Sequence, residues 1–369
     1  MKVILGLSGG VDSAVALIKL LEKGYDVEAI FMRNWDSTLN NDILGNPNDF
    51  SNICPQEQDY LDALEVANKY HIKLHRMDFV DVYWEKVFSY FLDEYKNNRT
   101  PNPDILCNSE IKFKVFLEEA FKMEADYIAM GHYARVVHKP EVKLFKAVDK
   151  NKDQSYFLSQ LNKDQLSKAL FPLGDMTKDE VRKLAKEHGI KIANKKDSTG
   201  ICFIGERHFK EFLKNYLKPN PGDIKTLDGK TVGKHEGLMY HTIGQRKGLG
   251  IGGAGEAWYV IGKDKKNNVL LVSQGDRSEY LYSNRCLVNK INWLADDFKT
   301  LECFAKFRYR AADVKVKLVR IDEDTIEVNY PEKAKAVTPG QAAVFYLGEE
   351  LIGGGTINEV YFGKEKRMY

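Results

Sequence analysis

No apolar run in the sequence approaches the ~18 residues that a membrane-spanning helix needs, so no span is expected. Nor does the chain open like a secretory leader, because the apolar run Val3 to Leu7 is short and a glycine pair interrupts it. Cysteine is scarce: five in 369 residues, namely Cys54, Cys107, Cys202, Cys286 and Cys303. That is too few for the disulfide framework of a secreted scaffold. A cytoplasmic protein with reduced thiols is the expectation. Neither sign of charge dominates; the net value is +2, so global electrostatics names no partner. Repeats and low-complexity tracts are absent, which sets aside solenoids and tethers. Two phosphate signatures are also missing. No Gly-Lys-Ser/Thr follows the glycines as in a Walker A loop, and the Gly-x-Gly-x-x-Gly spacing of dinucleotide folds does not occur.

What is present begins at Ser8-Gly9-Gly10-Val11-Asp12-Ser13. An apolar strand signal precedes it and an apolar-periodic helix signal, Val15 to Leu21, follows. Glycine there lets an anion approach the backbone closely. Unpaired N–H groups and the positive end of a helix dipole would face that anion. Ser8 and Ser13 add hydroxyls. Asp12 is unwelcome beside a bare phosphate, so it points to a bound Mg²⁺ or to helix capping.

The length corresponds to two or three domains of roughly 100–200 residues. Strand and helix signals alternate to about residue 130: strands at Val27 to Met32, Lys73 to Phe79 and Tyr127 to Met130, and helices at Gln56 to Tyr70, Asp81 to Asn97 and Glu110 to Met123. Alternation of this kind predicts an α/β fold with a doubly wound parallel sheet, whose ligands bind beyond the carboxyl ends of the strands. Asn34 to Pro55 is a polar, Asn-rich loop, long enough to be functional or mobile. A hairpin is predicted around Lys139-Pro140, and helices over Asp164 to Leu170 and Lys178 to His188, the latter capped by Thr177. Beyond Pro219 short strand signals dominate, and Asn284 to Phe362 reads as a small closed barrel. The first hundred residues lean acidic, whereas Arg182 to Lys247 is rich in Lys and Arg, compatible with a polyanion bound away from the first domain or with solvated lysine faces.

Two further stretches carry chemistry. In Asn102-Pro103-Asp104-Ile105-Leu106-Cys107-Asn108 a carboxylate lies three residues ahead of a thiol, just before the helix expected at Glu110, whose N-terminus would lower the thiol pKa. In Asp197 to Gly205, Cys202 follows a glycine in a loop. Each cysteine alone reads as a buried small hydrophobe. Beside the anion loop, however, two loop cysteines can form a dithiol–disulfide couple. Cys54, Cys286 and Cys303 lack such surroundings.

SGGVDS resembles the SGGxDS loop of the ATP pyrophosphatases, which cleave ATP between the α and β phosphates and adenylate a carbonyl-type oxygen. Taken with TPNPDILCN, GHYAR, KDQSYFL and DSTGICFIG in that order, it makes the whole chain similar to bacterial tRNA-specific 2-thiouridylases. The resemblance implies an adenine nucleotide α-hydrolase-like catalytic domain over residues 1–205, a small tRNA-contacting domain over 206–275 and a β-barrel over 276–369. It implies ATP with Mg²⁺, held by Gly6, Leu7, Ser8, Gly9, Gly10, Val11, Asp12 and Ser13, with Met32 and Gly131 lining the nucleotide site. Asn102, Pro103 and Asp104 would meet the target base. Cys107 would be the nucleophile, Cys202 the persulfide carrier, and Asp104 would orient the base or take its proton. His132, Lys152, Asp153, Gln154, Arg308, Tyr309 and Gln341 would contact the anticodon region of tRNA, although by themselves the last four polar positions after Asp153 read as ordinary surface residues. A sulfur donor, a cysteine desulfurase or a relay protein, is implied as partner.

Three alternatives stay open at this point. One is another ATP pyrophosphatase with a different acceptor. A second is thiolation through an iron–sulfur cluster on Asp104, Cys107 and Cys202. The third is a non-enzymatic RNA-binding or sulfur-carrier module.

Overall fold

The computed structural model describes residues 1–44, 55–196, 200, 204, 207–296 and 298–369. The chain divides into two compact units. The first comprises Met1–Phe88, Pro103–Phe212 and Glu349–Ile352; the second comprises Ser89–Asn102, Leu213–Gly348 and Gly353–Tyr369.

The first unit is built on β1 (Lys2–Gly6), β2 (Asp26–Arg33), β3 (Leu74–Asp78), β4 (Tyr127–Ala129) and, after the hairpin β5 (Ala134–Val137) and β6 (Lys143–Lys146), β7 (Ala169–Leu170). The sheet order is β3-β2-β1-β4-β7. All four of its pairings are parallel, with Val3 beside both Val27 and Tyr127. Val3, Ile4 and Leu5 are wholly buried because helices cover both faces of such a sheet. Helix α1 (Val11–Glu22) packs Ala14, Val15, Ala16, Leu17 and Leu20 into that core, and α2 (Pro55–Lys69) adds Ala63, Val66 and Ala67.

Strand order reverses between β1 and β4, so a crevice opens beyond their carboxyl ends. The doubly wound sheet read from the alternation is present. The expected helix over 164–170 is shorter, Lys163–Ser167, and Ala169–Leu170 instead forms the edge strand β7. Two residues are too few to show a period, which is why the strand is invisible in the sequence. The hairpin and the Thr177 cap are both present, the latter as a capping box with Glu180.

The described part of the long polar loop is firmly held. Asp42 accepts from Arg207 Nη2 at 2.7 Å and from Trp35 Nε1 at 3.0 Å. Trp35 itself packs against Tyr83, Trp84, Phe88 and Phe212.

In the second unit, β8 (Gly222–Lys225), β9 (Thr231–His235), β10 (Trp258–Asp264) and β11 (Val269–Gln274) form a sheet of order β10-β11-β8-β9. Strands β12 (Tyr282–Trp293), β13 (Thr300–Lys306), β14 (Val314–Arg320), β15 (Thr325–Lys335), β16 (Ala342–Leu347) and β17 (Glu350–Phe362) follow the order β12-β15-β14-β13-β16-β17, and β12 pairs back to β17. The result is a closed six-stranded barrel. On β14, buried Val316 and Leu318 alternate with exposed Lys315 and Lys317, the period-2 signature of one face turned inward.

Lys263 on β10 is 4% exposed and donates to Asn98 O at 2.8 Å. Burial pushes its pKa down from 10.5 to about 7. Between those two values the unfolded chain therefore binds more protons at this position than the folded chain, so stability gains from rising pH. We expect Lys263→Met to flatten that gain. Urea unfolding at neutral and alkaline pH should show a wild-type midpoint that rises more than the variant's. Identical pH slopes would show that Lys263 does not titrate in this window.

Candidate active site

The loop Leu7 to Gly10 leaves the end of β1 and turns into α1, whose N-cap is Gly10. Gly9 has φ +73°, and a Cβ there would stand 2.1 Å from Asp59 O, so no side chain fits. Ser13 Oγ donates to Gly10 O at 3.0 Å and accepts from Ser8 N at 3.1 Å, closing the loop on itself. The first-turn amides of α1 lack helical partners and face the crevice end of the sheet. Gly131, just past β4, packs so closely that a Cβ would lie 3.0 Å from Ser13 N. Gly6 is equally crowded, since a Cβ would meet Met130 Sδ at 2.6 Å and Met32 Cε at 3.3 Å. Thus the positions from Gly6 to Ser13, Met32 and Gly131 gather at the switch point.

Asp12 does not cap α1; it lies within the first turn, and the N-cap carries no side-chain hydrogen bond. Of the two roles read from the sequence, a bound Mg²⁺ or helix capping, the capping one does not hold. Its Oδ1 accepts instead from Lys178 Nζ at 2.7 Å and from Tyr133 OH at 2.8 Å. Lys178 is 8% exposed, an unusual burial for lysine. On the other side of the loop, Lys195 Nζ donates to Gly9 O at 3.0 Å and to Asp59 Oδ1 at 2.7 Å, and also pairs with Asp62. Burial raises the Asp59 pKa, and the Lys195 ammonium opposes that rise.

The stretch around Cys107 differs from expectation. Pro103–Leu106 is one α turn, Cys107–Val115 is a π-helix and Phe116–Lys122 returns to α. Cys107 therefore lies inside a helical run that starts at Pro103, not ahead of one that starts at Glu110. Proline suits a first helical position because its missing N–H has no partner to lose there. Cys107 is fully buried and Asp104, one turn earlier, is half-buried.

Side chains tie these stretches together within the first unit. Asn108 Nδ2 donates to Asp104 O at 3.0 Å and to Phe157 O at 3.2 Å. Gln154 Oε1 accepts from Tyr133 N at 3.0 Å while Gln154 N donates to Tyr133 O at 2.8 Å. Asp153 Oδ1 accepts from Ala147 N and Ser155 N. His132 is buried between Phe113 and Phe171, and desolvation, helped by Lys112, lowers its pKa well below 6.5, so its imidazole is neutral. SGGVDS, GHYAR, KDQSYFL and PDILCN thus form one bonded set. Lys152 is half-buried beside Asp153.

In the second unit, Gln341 Nε2 donates to Thr100 O at 2.8 Å and Pro101 O at 3.1 Å, just before Asn102. Arg308 Nη2 donates to Ile243 O and Thr338 Oγ1, both at 2.9 Å. Tyr309 is half-buried next to them, its ring under Arg310. The Arg308 and Gln341 side chains are therefore engaged inside the fold.

Cys202 and Cys54 lie outside the described residues. No disulfide is present among the described ones. Burial raises the pKa of Cys286, and that of Cys303 to about 12, which keeps both as inert thiols. Lys178, Tyr133 and Met130 are absent from the candidate residues read from the sequence, although Tyr133 lies inside GHYAR and Met130 directly precedes it; nothing in the sequence marks Lys178.

The chain is similar to known proteins along its whole length. Residues 1–206 match the family model described as tRNA methyl transferase HUP domain. Residues 210–274 match the tRNA methyl transferase PRC-barrel domain and 283–357 the aminomethyltransferase beta-barrel domain. The protein named tRNA-specific 2-thiouridylase MnmA of Acholeplasma laidlawii is 56% identical over 372 residues, covering 100% of this chain and 99% of the relative. Its namesake in Mycoplasma capricolum is 57% identical over 370 residues, covering 97% of this chain and 99% of the relative. In Bacillus cytotoxicus the corresponding figures are 53% over 371 residues, 100% and 97%. With full-length relatives this similar, the chain belongs to the family of tRNA-specific 2-thiouridylases.

Proposed function

We propose that this protein thiolates carbon 2 of the wobble uridine in lysine, glutamate and glutamine tRNAs, consuming ATP. The observation that carries the reading is the bonded set of four stretches: an anion-binding loop at the switch point, joined through Tyr133, Gln154 and Asn108 to the helix of Cys107. An ATP-using site and a thiol on one scaffold suit a reaction that must activate an oxygen and then replace it with sulfur.

The α1 amides and the Gly9-Gly10 turn receive the phosphates of ATP, and Met32 and Gly131 flank the nucleotide. Lys178 neutralises Asp12 before the triphosphate arrives, which removes the repulsion that a bare carboxylate would impose. Mg²⁺ fits here, because it commonly takes one or two carboxylates and completes its shell with substrate phosphates and water. Asp12 would hold it, and the ion would offset phosphate charge.

The uracil C2 oxygen attacks the α-phosphorus, the α–β bridge breaks and pyrophosphate leaves. The persulfide sulfur of Cys202 then attacks C2. Cys107, as thiolate, attacks the inner sulfur of Cys202, so the S–S bond of the persulfide breaks and a Cys107–Cys202 disulfide forms. AMP departs with the former C2 oxygen. A cellular thiol reductant reopens the disulfide, and a cysteine desulfurase or relay protein reloads Cys202. Asp104 orients the base or takes its N3 proton. The base must leave the anticodon stack to reach such a pocket. Asn102, Pro103, His132, Lys152, Asp153, Gln154, Arg308, Tyr309 and Gln341 support the tRNA, the buried ones by shaping the loops that present it.

Thiolation of unmodified lysine tRNA, read on a mercury-containing gel, is expected with wild type and absent with Cys107→Ala or Cys202→Ala, while tRNA-stimulated pyrophosphate release persists in both. Full turnover by the two variants would end the sulfur-transfer reading. Lys178→Met should raise the KM for ATP by at least about tenfold, the scale of cutting one partner from a buried charge pair. An unchanged KM would mean that Asp12 needs no counter-ion for nucleotide binding.

A further inference from the structure

We infer that Gln165, outside every motif named above, is a positioning residue for Cys107: its side-chain amide holds the π register of the helix that carries the thiol. This rests on the proposed role of Cys107.

A π-helix bonds each carbonyl to the N–H five residues on, rather than four. A carbonyl in such a run can accept a second hydrogen bond from outside the helix, and a donor fixed elsewhere in the fold then sets where the segment lies. Cys107–Val115 is π and gives way to α at Phe116. Gln165 Nε2 donates to Phe113 O at 2.9 Å and to Ser109 O at 3.2 Å, two carbonyls of the π segment one turn apart. Both N–H hydrogens of the amide are used. Its Oε1 accepts from Asn162 N at 3.0 Å, and Gln165 N donates to Asn162 Oδ1 at 2.8 Å, the capping box of Lys163–Ser167. The amide cannot flip without setting its oxygen against two carbonyls, so all its bonds agree on one orientation.

The helix is held on a second side as well. Asn108, next to Cys107, donates to Asp104 O and Phe157 O. Cys107 heads the π segment between these two clamps. A slip of the segment back to α would rotate the residues ahead of Phe116 by about one residue's turn, roughly 100°. The thiol would then be misaimed, although the helix would persist.

The experiment uses the full-length protein with ATP, Mg²⁺, unmodified lysine tRNA, and a cysteine desulfurase with cysteine as the persulfide source that loads Cys202. Gln165→Glu keeps the Oε1 acceptor of the capping box and removes the donor. We expect thiolated product per pyrophosphate released to fall about 10- to 100-fold, the cost of a reacting group misplaced by an ångström or so. KM for ATP and tRNA should stay within twofold. Gln165→Met, which lacks both polar atoms but keeps the length, should uncouple likewise and carries the test if the Glu variant does not fold. Wild-type coupling in a folded variant overturns the inference. So does a parallel loss of pyrophosphate release, thiolation and thermal midpoint, which would mark a purely structural residue. Cys107→Ala, run alongside, separates the two claims. If that variant still thiolates, the proposed function fails; if it is dead while Gln165→Glu is fully coupled, only the positioning role fails.

Discussion

An acid in the first turn of the helix that follows the glycine loop, the site we propose for an anion, is the constraint around which the first unit is arranged. Asp12 sits in the first turn of α1, where the triphosphate we propose would be repelled by it, and the fold answers with a nearly buried ammonium at 2.7 Å and a phenol at 2.8 Å. Lys178 starts the helix Lys178–Glu187 and Tyr133 follows β4, so one carboxylate fixes both elements against the loop. Removing water from such a pair is expensive, and the cost is offset only when geometry and extra hydrogen bonds are good. The phenol supplies that extra bond. The crowding of Gly9 against Asp59 and of Gly131 against Ser13 shows the same economy of space, since both faces of the loop are packed by backbone.

Much of this unit was legible in the sequence because parallel strands covered on both faces spell themselves out as apolar runs, as Val3-Ile4-Leu5 does. The barrel was legible for a different reason, the succession of short strand signals from Asn284 to Phe362. The failures share one cause. β7 is too short to carry a period, the π register of Cys107–Val115 leaves composition unchanged, and the role of Asp12 depends on a lysine 166 residues away. Each is settled by tertiary contacts, which local pattern does not contain.

The polar positions teach the same point from the other side. Gln154, Arg308 and Gln341 read in isolation as solvent-facing groups. In the structure their side chains bond to backbone groups of other segments: Gln154 to Tyr133, Arg308 to Ile243, Gln341 to Thr100 and Pro101. A long polar side chain that satisfies buried carbonyls or amides fixes loops which carry no regular hydrogen-bond ladder of their own. A substrate-contacting role and a clamping role are then compatible, because a loop that must present groups to RNA has to be held from behind.

Burial alone does not separate the nucleophile we propose, Cys107, from the structural thiols Cys286 and Cys303. All three are buried. Cys286 and Cys303 sit on barrel strands, where desolvation raises the pKa and leaves them as small hydrophobes. Cys107 differs in what surrounds its backbone. Two amide side chains, Asn108 and Gln165, bond to carbonyls of its own helix, and an uncommon helical register begins at the thiol itself. A chain that needed only to fill space at this point would gain nothing from a wider helix, which packs less regularly. The polar scaffold makes sense when the direction of one side chain matters more than the packing it provides. That is the property a nucleophile requires and a core residue does not.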